Sequence, residues 1–226
     1  MIDRVLALRG SVLATWAGFF AWLWFSGERS RYLGPRTYWV VAFGAIALTV
    51  AALAHLGALR GRDRRPDRLQ VLGAIVMVVP VLLVILVPRP NLGALAAARR
   101  SSGGIAAFLP APDPNGEVSF RELHYAADSP DYAARAGISE GMPIDLTGFV
   151  THDGGIQLTR FYVSCCAADA IPYSVRITWK GGTTKDYPDD TWLHVTGEVV
   201  KEAGGYVVYA SGGIETIAAP KDPYLY

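Results

Sequence analysis

Lysine is missing from residues 1–109, and acids are nearly so: that stretch carries thirteen Arg, four Asp or Glu and a formal charge of +9. Residues 110–226 reverse the balance, with eight basic residues against sixteen acids, a formal −8. The net charge of +1 is therefore a cancellation between two halves. The acidic half is a poor nucleic-acid partner, because phosphate contacts need clustered Lys and Arg. Cysteine is equally scarce: there are two, and they are adjacent. They make no C-x-x-C pair, and a complete metal site needs about four ligands. No P-loop, hydrolase elbow or zincin helix is present, so the sequence points away from an enzyme.

What is present is apolar length. Val5–Phe25, Tyr38–Leu59 and Val71–Val87 are long apolar runs, broken only by Arg9, a few hydroxyls and His55. A bilayer core needs about 20 apolar residues as helix, so three transmembrane helices are expected near 5–25, 38–59 and 70–88 of a helical region 1–90. Trp16, Trp22 and Trp24 in the first run, and Tyr38 and Trp39 opening the second, suit a lipid–water interface. The first run ends in Trp22–Leu23–Trp24–Phe25, too bulky for a signal-peptide cleavage site. A run apolar on every face also argues against a buried core helix in so small a protein.

Arg60–Arg68, with five Arg and two Asp, lies between the second and third runs and marks a cytoplasmic loop. The N-terminus is then cytoplasmic, and three crossings send the C-terminal domain outside. The expectation is a multi-pass protein of the cell membrane. Arg9 and His55 fall near the cytoplasmic ends of their runs, where side chains reach head groups or pack uncharged.

Beyond Pro88–Arg89–Pro90 the chain turns rich in Ala, Gly, Ser and Pro, and residues 91–116 read as a flexible linker. Residues 117–226 read as a soluble β-rich domain with short helices at its start. Ser119 and Glu122 have capping-box spacing. From Gly141 the period becomes two, in alternating sets at 144–150, 156–162, 173–179, 193–199 and 206–217. Five short strands with turn signals between them predict a small OB-like barrel.

Cys165–Cys166 lie after the second strand. Three readings stay open: buried apolar packing, a strained vicinal disulfide, or thiolate ligation of a transition metal such as zinc. The candidate metal set is Cys165, Cys166, Asp169 and His152, with His194 as a further helper. Asp186, Asp189 and Asp190 read as an exposed turn. His124 shows no partner in the sequence.

Three passages, RFYVSCCAADAIP at 160–172, DDTWLHVTGEV at 189–199 and PKDPYLY at 220–226, resemble the YcgQ-like family of membrane proteins. The order of helices, tether and β-domain is also similar. The resemblance implies the accessory subunit of a two-component permease, whose larger polytopic partner is similar to the ArsP-like permeases. Many relatives have a His-rich loop before the last membrane helix; here RGRDRRPDR has no His or Cys, which speaks against metal loading there. The Cys165–Asp169 segment matches the family's motif. The rival reading is a membrane-anchored metal-binding or thiol redox module centred on that segment.

Overall fold

The computed structural model describes residues 3–58, 65–87, 92–100, 110–113, 115–179, 186–202 and 205–226. It divides into two compact units, Met1–Pro90 and Asn91–Tyr226.

The first unit holds α1 (Arg4–Ser26), α2 (Tyr38–Gly57) and α3 (Arg68–Leu86). All three are long and apolar enough to cross a membrane. Asp3 caps α1 by accepting from the backbone N–H groups of Val5 and Leu6, and Gly27 ends it at φ 77°. Asp67 and Gln70 form a capping box at the start of α3. Residues 60–64 of the arginine run lie outside the described residues.

The packing of this unit inverts that of a soluble bundle. Only 17, 11 and 6% of the three spans is buried within the protein, and the least buried, α3, is also the most apolar. Ile46, Val50 and Leu53 on α2 and Ile75, Val76 and Leu82 on α3 stand exposed. Contacts are close where residues are small: a Cβ on Gly10 of α1 would sit 3.4 Å from the Cβ of His55. The few polar side chains are satisfied locally. Thr15, Thr49 and His55 each donate to a carbonyl one turn back, at 2.9, 2.7 and 2.9 Å. That lets them lie in hydrocarbon without an unmatched hydrogen bond. Pro80 removes one ladder donor within α3. One residue beyond the carbonyl this frees, the Trp16 indole N–H of α1 donates to the carbonyl of Met77 at 3.0 Å.

The second unit is a closed five-stranded barrel of β1 (Pro143–His152), β2 (Ile156–Tyr162), β3 (Ile171–Trp179), β4 (Trp192–Glu202) and β5 (Gly205–Thr216). The strand order is β1-β4-β5-β3-β2, and β1 closes the ring by also pairing with β2. The β3–β5 pair is parallel; the other four are antiparallel. This is the expected OB-like arrangement, with the fifth alternating set formed as one continuous strand. Leu146, Val150, Leu158, Val175, Val195 and Val208 fill the interior. α5 (Phe120–Asp128) packs on β2, β3 and β5, with α6 (Pro130–Arg135) beside it. Phe120 reaches Gly148, where an added Cβ would lie only 2.9 Å from its ring. The Ser119–Glu122 capping box forms as the sequence indicates. The Glu122 carboxylate is 1% exposed and also accepts from Arg121 Nε and Nη2 at 2.8 and 2.6 Å.

Two elements depart from the sequence reading. Within the expected linker, Ala94–Ala98 forms a short helix, α4, which packs against β1. Within the Pro-bearing tail, Tyr224–Leu225 forms β6 and pairs in parallel with Phe161–Tyr162 of β2.

Candidate functional site

The outer face of the barrel carries a second apolar cluster: Phe149, Phe161, Val163, Ala170, Trp192 and Tyr224, with Leu92, Ala96 and Ala97 packed onto it. Phe149 lies between Phe161 and Trp192, with ring centroids 5.8 and 5.7 Å away. Each of the three motif passages contributes a member: Phe161 and Val163 from the first, Trp192 from the second and Tyr224 from the third. The passages are far apart in sequence because this cluster is where β2, β4 and the tail meet α4.

Polar locks hold the cluster's edges. Arg160 donates to the carbonyls of Asp222 at 2.8 Å and Pro223 at 3.3 Å, pinning the tail. Burial pushes the Arg160 pKa down, and the charge of Asp222 opposes the shift. Asp190, at φ 66°, accepts from the Ala94 N–H at 2.6 Å and caps α4. Arg100 donates to the carbonyls of Ala167 and Ala170 at 3.1 and 3.0 Å, and so fastens the segment after α4 to the cysteine loop.

That loop follows β2. The Asp169 carboxylate accepts backbone N–H groups from Ser164, Cys165 and Cys166 at 3.3, 2.8 and 3.4 Å. Desolvation works against its charge, but the Cys165 thiol and these N–H groups outweigh it and hold the Asp169 pKa below the usual value. The two cysteine sulfurs are 3.7 Å apart, well beyond the ~2.05 Å of a disulfide bond. Hydrogen bonding to Asp169, then to Cys166, pushes the Cys165 pKa up to about 11. Cys165 is exposed, so access does not limit its reactivity; protonation does.

Residues 136–226 match the family model of the DUF1980 C-terminal domain. The match covers the barrel and tail and takes in all three motif passages, so it supports the family resemblance over that part of the chain. No curated protein and no solved structure matches the sequence.

Within this part of the chain the four candidate ligands do not converge. Cys165, Cys166 and Asp169 share one loop, but Asp169 is occupied in holding its backbone. His152 pairs with Ile156 at the start of β2, whereas the cysteines follow its end. Seven residues of strand separate them, about 20 Å. His152 instead places Nδ1 2.7 Å from Asp189 and Nε2 3.6 Å from Asp186. His194 lies with Nε2 2.8 Å from Asp145. Among the described residues, no group of three or more His, Cys, Asp and Glu is placed to hold a metal ion.

The same outer face holds a cavity of about 570 Å³. Its walls come from α4, Arg100, His124 and the His152–Asp189 pair; Gln157, Ser174 and Thr151 contribute from the strands. The sequence reading missed Arg100, Gln157 and Ser174, which stand in no motif with spacing of its own. Asp189 and Asp190 do lie in the exposed turn that the sequence predicts, and from it Asp189 reaches His152 and Asp190 reaches the Ala94 N–H.

Proposed function

We propose that this chain is an accessory subunit of a two-component membrane permease, with its helices packed on a larger polytopic ArsP-like partner and its barrel outside the cytoplasm. One observation carries the reading. The described spans bury few residues against one another, and their ionisable side chains, Arg4, Arg9, His55 and Arg68, all fall at or near span ends. A solute path through a bilayer needs polar or charged groups at depth, and transporters place them where helices pack around a central site. Three helices without such groups are suited to lipid and to the flank of another protein.

The positive-inside tendency sets the orientation: the arginine-rich segment at 60–68 stays in the cytoplasm, and the odd number of spans carries the barrel across. In this reading the chain does no covalent chemistry. The rival reading, a metal or redox module on Cys165–Cys166, is supported only by the 3.7 Å separation of the two sulfurs.

Affinity purification of the tagged chain from mildly solubilised membranes tests the proposal. A polytopic permease recovered at near one-to-one stoichiometry is the expected result. A homomer that transports solute alone in liposomes would overturn it. Alkaline phosphatase fused after Tyr226 reports the orientation, and activity of the fusion is expected.

A further inference from the structure

The cavity on the barrel's outer face is polar, and its charges are arranged end to end. Gln157 pairs with Arg176 and Phe161 with Pro172, so these two rows lie four residues apart on β3. That is about 13 Å of strand. Asp153 lies at the hairpin end, beside Gln157, whose side-chain amide donates to the Asp153 carbonyl at 2.9 Å. Arg100 lies at the other end, anchored on Ala170 just before Pro172. Asp153 and Arg100 thus line one cavity from opposite ends, and the other acid in its wall, Asp189, is paired with His152.

Between them runs a chain of hydroxyls. Thr159, fully enclosed, lies 2.7 Å from both Thr151 and Ser174. Three hydroxyls making two mutual bonds leave one O–H proton over, and acceptor lone pairs besides. The chain's outer members, Thr151 and Ser174, both line the cavity. Gln157 adds an amide, and His124, which burial keeps neutral by lowering its pKa, adds an imidazole. These groups can donate to carbonyls and accept from N–H groups along the length between the charges.

We propose that this cavity binds a short zwitterionic peptide, extended along β2 and β3, with its carboxylate at Arg100 and its ammonium at Asp153. An extended chain spans about 3.3–3.6 Å per residue, so about four residues bridge the charges. The volume lies within the range of small-ligand sites. The uncharged alternative of similar length, an oligosaccharide, would bring no opposite charge to either end. This inference does not depend on the permease reading.

Calorimetric titration of the full chain in detergent tests it, with tetra-alanine, N-acetyl-tetra-alanine, tetra-alanine amide and maltotetraose as probes. Tetra-alanine is expected to bind, and blocking either terminus to weaken binding about tenfold or more, since each block removes a charge-assisted contact. Asp153→Asn should weaken tetra-alanine to the same degree and leave the N-acetyl peptide unchanged. Arg100→Gln should do the corresponding thing at the carboxylate end. Arg100 also anchors the cysteine loop, so Asp153→Asn, at an exposed hairpin, is the variant that decides if Arg100→Gln fails to fold. Equal affinity for free and blocked peptides, tighter binding of maltotetraose, or no tetra-alanine binding at about 10 mM would overturn the assignment.

Discussion

Along α2, Ile46, Val50 and Leu53 stand open, while in the barrel Leu158, Val195 and Val208 are completely enclosed. The side chains are alike; the solvent each unit is built for differs. In water, exposing that many aliphatic groups would cost about 25 cal/mol for each Å². In hydrocarbon the cost vanishes, and the constraint passes to the backbone and the few polar side chains. The helical unit meets it by returning hydroxyl and imidazole groups to carbonyls one turn back. The barrel spends its hydrogen bonds differently, on strand pairing, on caps and on clamps such as Arg160 and Arg100 that tie distant segments together.

Removing one large side chain from each unit sharpens this contrast most. Phe161→Ala removes a stacked ring from the outer cluster, where Phe161 is 0% exposed. It is expected to destabilise the barrel by about 3–5 kcal/mol. Leu53→Ala, on an exposed stretch of α2, is expected to change stability by less than about 0.5 kcal/mol. Thermal unfolding in detergent, followed by tryptophan fluorescence, separates them. Comparable losses would break the comparison by showing that α2 packs as a soluble core does.

The reverse experiment introduces charge. Ile46→Arg in the middle of α2 is expected to oppose membrane insertion by about 2.5–3.5 kcal/mol. Alkaline extraction of membranes reads this as a larger fraction of the chain released. Ser211→Arg, on an exposed part of β5, should leave the distribution unchanged. If Ile46→Arg also leaves it unchanged, the helices are not held by lipid.

A third test concerns backbone approach within the barrel. At Gly197, between the register shift flanked by Thr196 and Glu198, an added Cβ would lie 2.1 Å from the carbonyl oxygen of Tyr209. Gly197→Ala therefore forces β4 and β5 apart and should cost about 1–3 kcal/mol. Gly18 on α1 has no atom near its missing Cβ. Gly18→Ala is expected to be neutral or mildly stabilising, because alanine is the better helix former. Unfolding midpoints of the two variants check both expectations.

These contrasts also explain what could be read from the sequence. The three spans were legible because hydrocarbon imposes length and apolarity without needing a partner. The five strands were legible because alternation records which face is buried. The Ser119–Glu122 cap was legible because its partners are three residues apart. Three features were not. α4 is five residues in a run of alanines, and it is held by Asp190, ninety-six residues away from Ala94. β6 is two residues long and pairs with a strand about sixty residues earlier. The separation of His152 from the cysteines follows from which end of β2 each one joins, which composition does not record.

Asp190 offers a smaller break in the same comparison. Asp190→Ala removes the side-chain acceptor of the Ala94 N–H and should cost about 1 kcal/mol, the usual worth of an N-cap. The barrel should keep its midpoint within about half that amount, because the clamps at Arg100 and Arg160 remain. Limited proteolysis is the sensitive readout: cleavage after Arg99 or Arg100 should quicken several-fold while the barrel stays intact. Unchanged cleavage would mean that α4 is seated by Leu92, Ala96 and Ala97 alone.

The cysteine loop should show almost no stability effect and yet a large chemical one. Cys165 is exposed, but Asp169 and Cys166 raise its pKa to about 11 from an ordinary value near 9. Thiolate is the reactive form, so at pH 8 alkylation of Cys165 should run about a hundredfold slower than that of an ordinary exposed thiol. The sign follows from the direction of the shift: reactivity climbs as pH rises toward 11, past the range where an ordinary thiol has already levelled off. Asp169→Asn takes away the negative acceptor and should lower the thiol pKa, speeding alkylation at pH 8 by tenfold or more. Mass spectrometry of iodoacetamide-treated protein across pH 7–11 resolves the two cysteines by peptide. An ordinary pH profile for Cys165 in the unaltered chain would mean that the carboxylate does not govern the thiol. The loop would then be open to the thiolate chemistry that the rival metal or redox reading requires.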